Sequence, residues 1–211
     1  MTIALPTLLS VERPVDPARD AWADDKAEMI AQLGVTSIVR MAFVDQLTGI
    51  PNRHRLAVAL ERRQRTERAT VFVRVDLNGF KRAQDRPGFG HEWGDRCLRD
   101  FAHYVENNVR MLRNSVESEG DMLAGREGGD EFLVVTSSYD GAGRIAQVIG
   151  AWSFDDVTAS VGIGVTVKAA DAALYAAKRA RRSGLRLPRR LRLGLTALRQ
   201  LPRRLLGLGV A

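Results

Sequence analysis

Cysteine is all but missing from this 211-residue chain. Cys97 stands alone, which excludes a disulfide framework and any multi-cysteine zinc site. Histidine is nearly as scarce, and His54, His91 and His103 share no metal-ligand spacing. No apolar run approaches the ~20 residues of a membrane-spanning helix. The opening MTIALPTLLSVERPVD lacks the basic start of a signal peptide and carries an early proline. Acid is absent from one region: residues 178–211 hold eleven of the 32 basic side chains and none of the 25 acidic ones. The net charge of +7 and the pI near 10.3 therefore describe that tail. The first 177 residues, with 21 basic against 25 acidic groups, are mildly acidic, so the charge does not make the body a nucleic-acid binder. What is present is enough to fold. Hydrophobic residues make up 45% and charged residues 27%, as in a soluble protein of one domain with short tails. The expected location is cytoplasmic.

Along the chain, residues 1–19, with three prolines, read as a loose leader. Trp22 to Val44 suits a lead-in helix with apolar Met29, Ile30, Leu33, Ile38, Met41 and Val44, capped by Asp20 or Asp24 and weakened at Gly34–Thr36. After the turn-rich DQLTGIPNR, His54–Arg65 reads as a helix with Leu56, Val58 and Leu60 inward. TVFVRVD (70–76) is the clearest strand. A loop containing Gly79, Pro87, Gly88, Gly90 and Gly94 precedes a long helix from Asp95 to Leu112. Strands 121–127 and 131–136 flank the two-residue turn Gly128-Gly129. A helix over 141–152, a strand over 157–167 and a helix over 169–182 follow. The order is β-α-β-β-α-β, an α+β sandwich with a mainly antiparallel sheet and helices expected on one face.

Two acidic clusters mark the candidate chemistry. Asp76 ends the first strand, and Asp130-Glu131 follows the double glycine. In this topology the first strand and the hairpin are neighbours. Carboxylates brought together repel unless a cation neutralises them, and Mg²⁺, a hard ion bound by oxygen, does this in phosphoryl-type transfer. The plain alternative is a strand end beside a decorated hairpin. Gly128 and Gly129, lacking Cβ, let a ligand approach the backbone. Gly79 and Phe80 open a loop whose N–H groups suit phosphates, and Lys81 adds a cation. Lys178 and Arg182, at i and i+4 of the last helix, share a face suited to the same polyphosphate or to solvent.

Six segments in series carry a resemblance: DQLTGIPNR (45–53), VDLNGFK (75–81), GHEWGD (90–95), REGGDEF (126–132), VTASVGIGV (157–165) and ADAALYAAK (170–178). Together they resemble the GGDEF-domain diguanylate cyclases. The resemblance implies a palm-like domain over about 45–184, following the segment 20–44 that the residue pattern reads as a lead-in helix. It implies condensation of two GTP molecules into cyclic di-GMP and two pyrophosphates, in a transient homodimer of facing sites. By resemblance, Asp76, the Leu77 carbonyl and Asp130 ligate Mg²⁺ (or Mn²⁺), with Glu131 in support. The pair Asp130 and Glu131 aids deprotonation of the 3′-hydroxyl. Gly79, Phe80, Lys81, Lys178 and Arg182 hold phosphates, and Gln84 with Asp95 reads guanine. A carboxylate accepts from guanine N1–H and N2–H₂ together, which adenine does not offer; Asp95 otherwise serves as cap of the long helix.

The chain also departs from the family pattern. Gln84 replaces the usual Asn, the RPGF loop (86–89) is two residues longer, and Asn78 replaces a frequent Asp. Ser118 stands where the product-inhibitory R-x-x-D motif, near Asp121, has its Arg, so no arginine-based inhibitory site of that kind is expected. The alternative function is an inactive GGDEF domain that binds GTP or a protein partner. The Leu/Arg-rich tail, 185–211, reads as a basic amphipathic segment suited to an anionic membrane surface, or as a disordered extension. Without aromatic residues for stacking, it is not expected to bind nucleic acid specifically.

Overall fold

The computed structural model describes residues 28, 31–32, 34–115 and 121–183. The leader, much of the lead-in segment, Ser118 and the basic tail lie outside the described residues. The chain divides into two units, Met1–Arg40 and Met41–Ala211. Residues 34–43 are helical (α1), and Val35, Val39 and Met41 are exposed.

In the second unit, Asn52 caps helix α2 (Arg53–Arg65), its side chain accepting from the N–H groups of His54 and Arg55. Strand β1 (Val71–Asn78) alternates cleanly, with Val71, Val73, Val75 and Leu77 buried on one face. Two helices follow, α3 (Phe80–Gln84) and α4 (Gly90–Ser115). The hairpin β2 (Leu123–Gly128) and β3 (Glu131–Thr136) leads to α5 (Tyr139–Ala151), the two-residue strand β4 (Ser153–Phe154), β5 (Val157–Gly164) and α6 (Val167–Arg182). The sheet order is β2-β3-β1-β5-β4 and every pairing is antiparallel. This is the α+β sheet expected, with β1 central.

The main core joins the inner faces of β1, β3 and β5 to α4 and α5, through Phe101, Phe132, Val105, Ile145, Ile149 and Trp152. Phe101 packs edge-on against both Phe132 and Trp152. The expectation of helices on one face is corrected. A second cluster of Leu56, Leu133 and Val135 seats α2 on the opposite face, where α6 also lies. Strand residues of that face are small enough to admit α6: a Cβ on Gly162 would fall 2.2 Å from both the Ala170 carbonyl oxygen and the Leu174 nitrogen. The helix needs the missing side chain.

Other boundaries also shift. The long helix begins at Gly90 rather than Asp95, and Gly94 lies within it. The glycines that read as loop are accommodated because Phe89 and Trp93 pack edge-to-face at 5.1 Å and anchor the helix start. The RPGF loop is thus folded onto the core, with Arg86 paired to Asp156 at 2.8 Å. The strand expected to reach Val167 ends at Gly164, and Thr166 caps α6 instead. Val58, expected inward, is exposed. Among the described residues no helix is long and apolar enough to cross a membrane.

Candidate functional site

The register of the sheet places the two acidic clusters together. Asp76 pairs directly with Glu131 across β1 and β3, and directly opposed residues of an antiparallel pair share a face. The Leu77 N–H donates to the Asp130 carbonyl at 3.3 Å, which fixes the turn against the end of β1. Burial raises the pKa of the Asp130 carboxyl, and the Asp76 charge beside it raises it further; Lys178 opposes both. The Lys178 ammonium, from α6, lies 2.6 Å from the Asp76 carboxylate, which is largely buried.

The turn that presents Asp130 is held from outside. Gly129 has φ +53, a left-handed conformation that suits glycine. Arg126 donates to the Gly129 carbonyl through Nε and Nη2, at 3.0 and 2.8 Å, and through Nη1 to Asp45 at 3.0 Å. Asp45 also accepts from the Thr48 N–H and hydroxyl. Burial alone would raise the Asp45 carboxyl, but these bonds outweigh it and hold its pKa below the usual value. The Pro51 carbonyl receives the Arg126 N–H at 2.9 Å. So DQLTGIP braces the hairpin, a role that its sequence position, about eighty residues upstream, does not reveal.

A second group of contacts moors α6. Arg74, two residues before Asp76 and on the same face, pairs with Asp171 at 2.8 Å and with Glu127. The Glu131 carboxylate lies 4.0 Å from the same guanidinium. The Arg74–Asp171 and Asp76–Lys178 pairs therefore bind α6 to β1 at two levels. Arg74 and Asp171 escaped the sequence reading; the only signal was a charged side chain inside an otherwise apolar strand.

The remaining candidates lie on α3, α4 and α6. Gly79 is the left-handed N-cap of α3. Phe80 is buried in the core against Trp93, so only its backbone is available to a ligand. Lys81 and Arg182 are exposed. Gln84, half-buried at the end of α3, lies 3.2 Å through Nε2 from His91 Nδ1. Asp95 is on the second turn of α4, not at its cap, and pairs loosely with Arg99 at 3.8 Å. Its carboxylate is thus not engaged in capping. Asn78 is buried, accepting from Ser160 at 2.8 Å and donating to Thr158 at 3.2 Å. Its amide supplies both a donor and an acceptor between β1 and β5, which a carboxylate would not. Asp121 pairs with Arg63 at 3.0 Å and Arg68 at 3.3 Å. Burial pushes the Cys97 thiol up to about 12, so it is an inert core residue.

The donors gathered at the centre are hard oxygens. Among the described residues no three Asp, Glu, His or Cys side chains are grouped around a common metal position. Mg²⁺ commonly takes one or two carboxylates and completes its shell with water and substrate phosphate. The juxtaposition of Asp76 and Asp130, whose carboxyl is raised first by burial and then by the Asp76 charge, fits that ion.

Comparison with known proteins gives the same direction. The family described as "Diguanylate cyclase, GGDEF domain" matches residues 42–184. Diguanylate cyclase DgcS of Shewanella oneidensis is 30% identical over 137 residues, covering 62% of this chain and 43% of that protein. Response regulator PleD of Caulobacter vibrioides is 30% identical over 213 residues, covering 83% and 44%. The chain thus spans less than half of either relative. Among solved structures, diguanylate cyclase SiaD of Pseudomonas aeruginosa, in complex with its activator SiaC, superposes with TM-score 0.52 and 30% identity, covering 77% of this chain and 68% of that one. With that family matched over residues 42–184, well over half of the chain, the protein belongs to the GGDEF-domain family of diguanylate cyclases.

Proposed function

We propose that this chain is a Mg²⁺-dependent diguanylate cyclase that condenses two GTP molecules into cyclic di-GMP and two pyrophosphates. The observation that carries the reading is the direct pairing of Asp76 with Glu131, with Asp130 fixed beside Leu77. Asp76, the Leu77 carbonyl and Asp130 would hold Mg²⁺, or Mn²⁺ in its place. When bound, the ion neutralises the carboxylates and the developing charge on the α-phosphate.

The chain's own groups do the rest. Backbone N–H groups at Gly79 and Phe80, with Lys81, Lys178 and Arg182, hold the triphosphate. Gly128 and Gly129 leave open space above the turn, since a Cβ on either would meet nothing within 4 Å. Asp130 and Glu131 accept the proton of the 3′-hydroxyl. A carboxyl whose pKa burial and a neighbouring charge raise is a better base than an ordinary one. Asp95 and Gln84 read the guanine. The 3′-hydroxyl of each GTP attacks the α-phosphate of the other, so two copies of the domain must face each other in a homodimer.

The test is incubation of the purified chain with GTP and Mg²⁺ and chromatography of the products. Cyclic di-GMP, abolished by Asp130→Asn in a folded protein, is expected. GTP binding without product would instead support the alternative of a non-catalytic GTP-binding module.

A further inference from the structure

Resting on the guanine-binding reading of Gln84 and Asp95, we infer that His91 is a positioning residue: it tethers the over-long Gln84 amide in the orientation that reads guanine. Three observations meet at this amide. Its nitrogen lies 3.2 Å from His91 Nδ1. The amide lies directly on Gly94, where a Cβ would fall 2.5 Å from Nε2 and 3.1 Å from Cδ. Gly94 is the residue before Asp95, so the amide and the carboxylate sit one residue apart along α4.

The chemistry of the tether decides which end of the amide is left over. A neutral imidazole protonated on Nε2 presents Nδ1 as an acceptor, and only the amino group of Gln84 can donate to it. The Gln84 carbonyl oxygen then remains for the ligand. Guanine offers N1–H and the two hydrogens of its exocyclic amine, all donors. Two acceptors, Asp95 and the Gln84 oxygen, suit that edge. Without the tether, the amide turns freely and presents its amino group as readily as its oxygen. An extra methylene also gives Gln84 one more rotor than the family's Asn, and fixing a rotor on binding costs affinity. His91 and Gly94 together remove that freedom in advance.

A shortened side chain, as in Gln84→Asn, would stop one methylene short of His91, so the two positions should be coupled. The experiment compares the wild-type full chain with Gln84→Asn, each with and without His91→Ala. Calorimetry would measure binding of α,β-methylene-GTP, whose scissile bond cannot break, and of the inosine analogue, which lacks the exocyclic amine. With Gln84 present, His91→Ala is expected to weaken binding of the guanosine analogue about 3- to 10-fold, the scale of one neutral hydrogen bond. The preference over inosine should fall with it. In turnover KM should rise with kcat nearly unchanged. In the Gln84→Asn background the same change should have no effect. His91→Gln, whose amide oxygen can accept the bond, should restore most of the loss. An equal effect in both backgrounds, or none in either, overturns the tether. Failure of the wild-type chain to bind the guanosine analogue overturns the guanine pocket itself, a separate and recognisable outcome. His91 is exposed, so its replacement leaves the core intact, and a melting curve verifies this.

Discussion

Gly162→Ala is a severe change for a single methyl group. The added Cβ would lie 2.2 Å from the Ala170 oxygen and the Leu174 nitrogen and 2.7 Å from Leu174 Cα, all main-chain atoms. None can rotate away, so α6 as a whole must retreat. Restoring an ordinary 3.4 Å contact requires a displacement of about 1.2 Å, and a radial gap of that size forfeits much of the packing beneath the helix. Overpacking of this kind costs about 1–3 kcal/mol, and rigid partners put this site near the upper end. For a domain of this size that lowers Tm by about 10 °C. The same retreat stretches the Lys178–Asp76 pair from 2.6 Å to beyond hydrogen-bond reach. Thermal denaturation followed by circular dichroism, with binding of α,β-methylene-GTP, would measure both effects. Gly143→Ala is the control. That glycine is in α5 with nothing within 4 Å of its Cβ position, and the change should stabilise by about 0.5–1 kcal/mol through helix propensity. If Gly162→Ala melts with wild type, α6 does not lie on β5 as described.

Other consequences are as concrete. Asp45→Asn leaves the mostly buried Arg126 guanidinium without its counter-charge and should cost about 3 kcal/mol, read as a lowered urea midpoint. Because the Asp45 carboxyl is depressed in the fold, its stabilisation is full above the ordinary Asp range and is lost as pH falls through the depressed value; Asp45→Asn should therefore lose less stability in acid than wild type. Asp130 works in the opposite sense: its pKa is raised, so folding loses stability as pH rises through it. The metal-free Asp130→Asn variant should be more stable than wild type at pH 8, with the difference shrinking toward pH 4. Wild type matching or exceeding it at pH 8 would show that neither burial nor the Asp76 charge penalises the ionised Asp130. If the basic tail is a membrane anchor, as its composition suggests, the full chain should sediment with vesicles rich in phosphatidylserine and the chain lacking residues 185–211 should not, with GTP turnover unchanged; a full chain that stays in solution removes that reading.

Much of this arrangement is legible in the chain. Alternation at Val71, Val73, Val75 and Leu77 identifies the central strand, and the double glycine between two apolar runs identifies the hairpin that sits beside it. Those two readings bring Asp76 near Asp130 or Glu131, and only the register of the sheet decides that Glu131 stands directly opposite. The start of α4 is not legible in the same way, because Gly88, Gly90 and Gly94 signal loop locally. What makes a helix there is aromatic packing by Phe89 and Trp93, a contact between side chains that no spacing rule weighs. Ser153–Phe154 is too short to show a period. The burial of α2 and α6 on the outer face depends on small residues in β5 and on Leu133 and Val135 in β3, which read from sequence as ordinary strand positions. Arg74 is the clearest omission. A basic residue within VFVRVD resembles an exposed edge until Asp171, almost a hundred residues later, is brought to it.

That Arg74 contact gives the last helix a spare mooring. A divalent ion arriving at Asp76 would compete with Lys178 for the carboxylate and free the ammonium for an incoming triphosphate. Were Lys178 the sole attachment, releasing it would also loosen α6. Were Asp76 to hold a cation, as proposed, Asp171 would still be tied to Arg74 two turns earlier, and the helix would keep its berth when Lys178 let go.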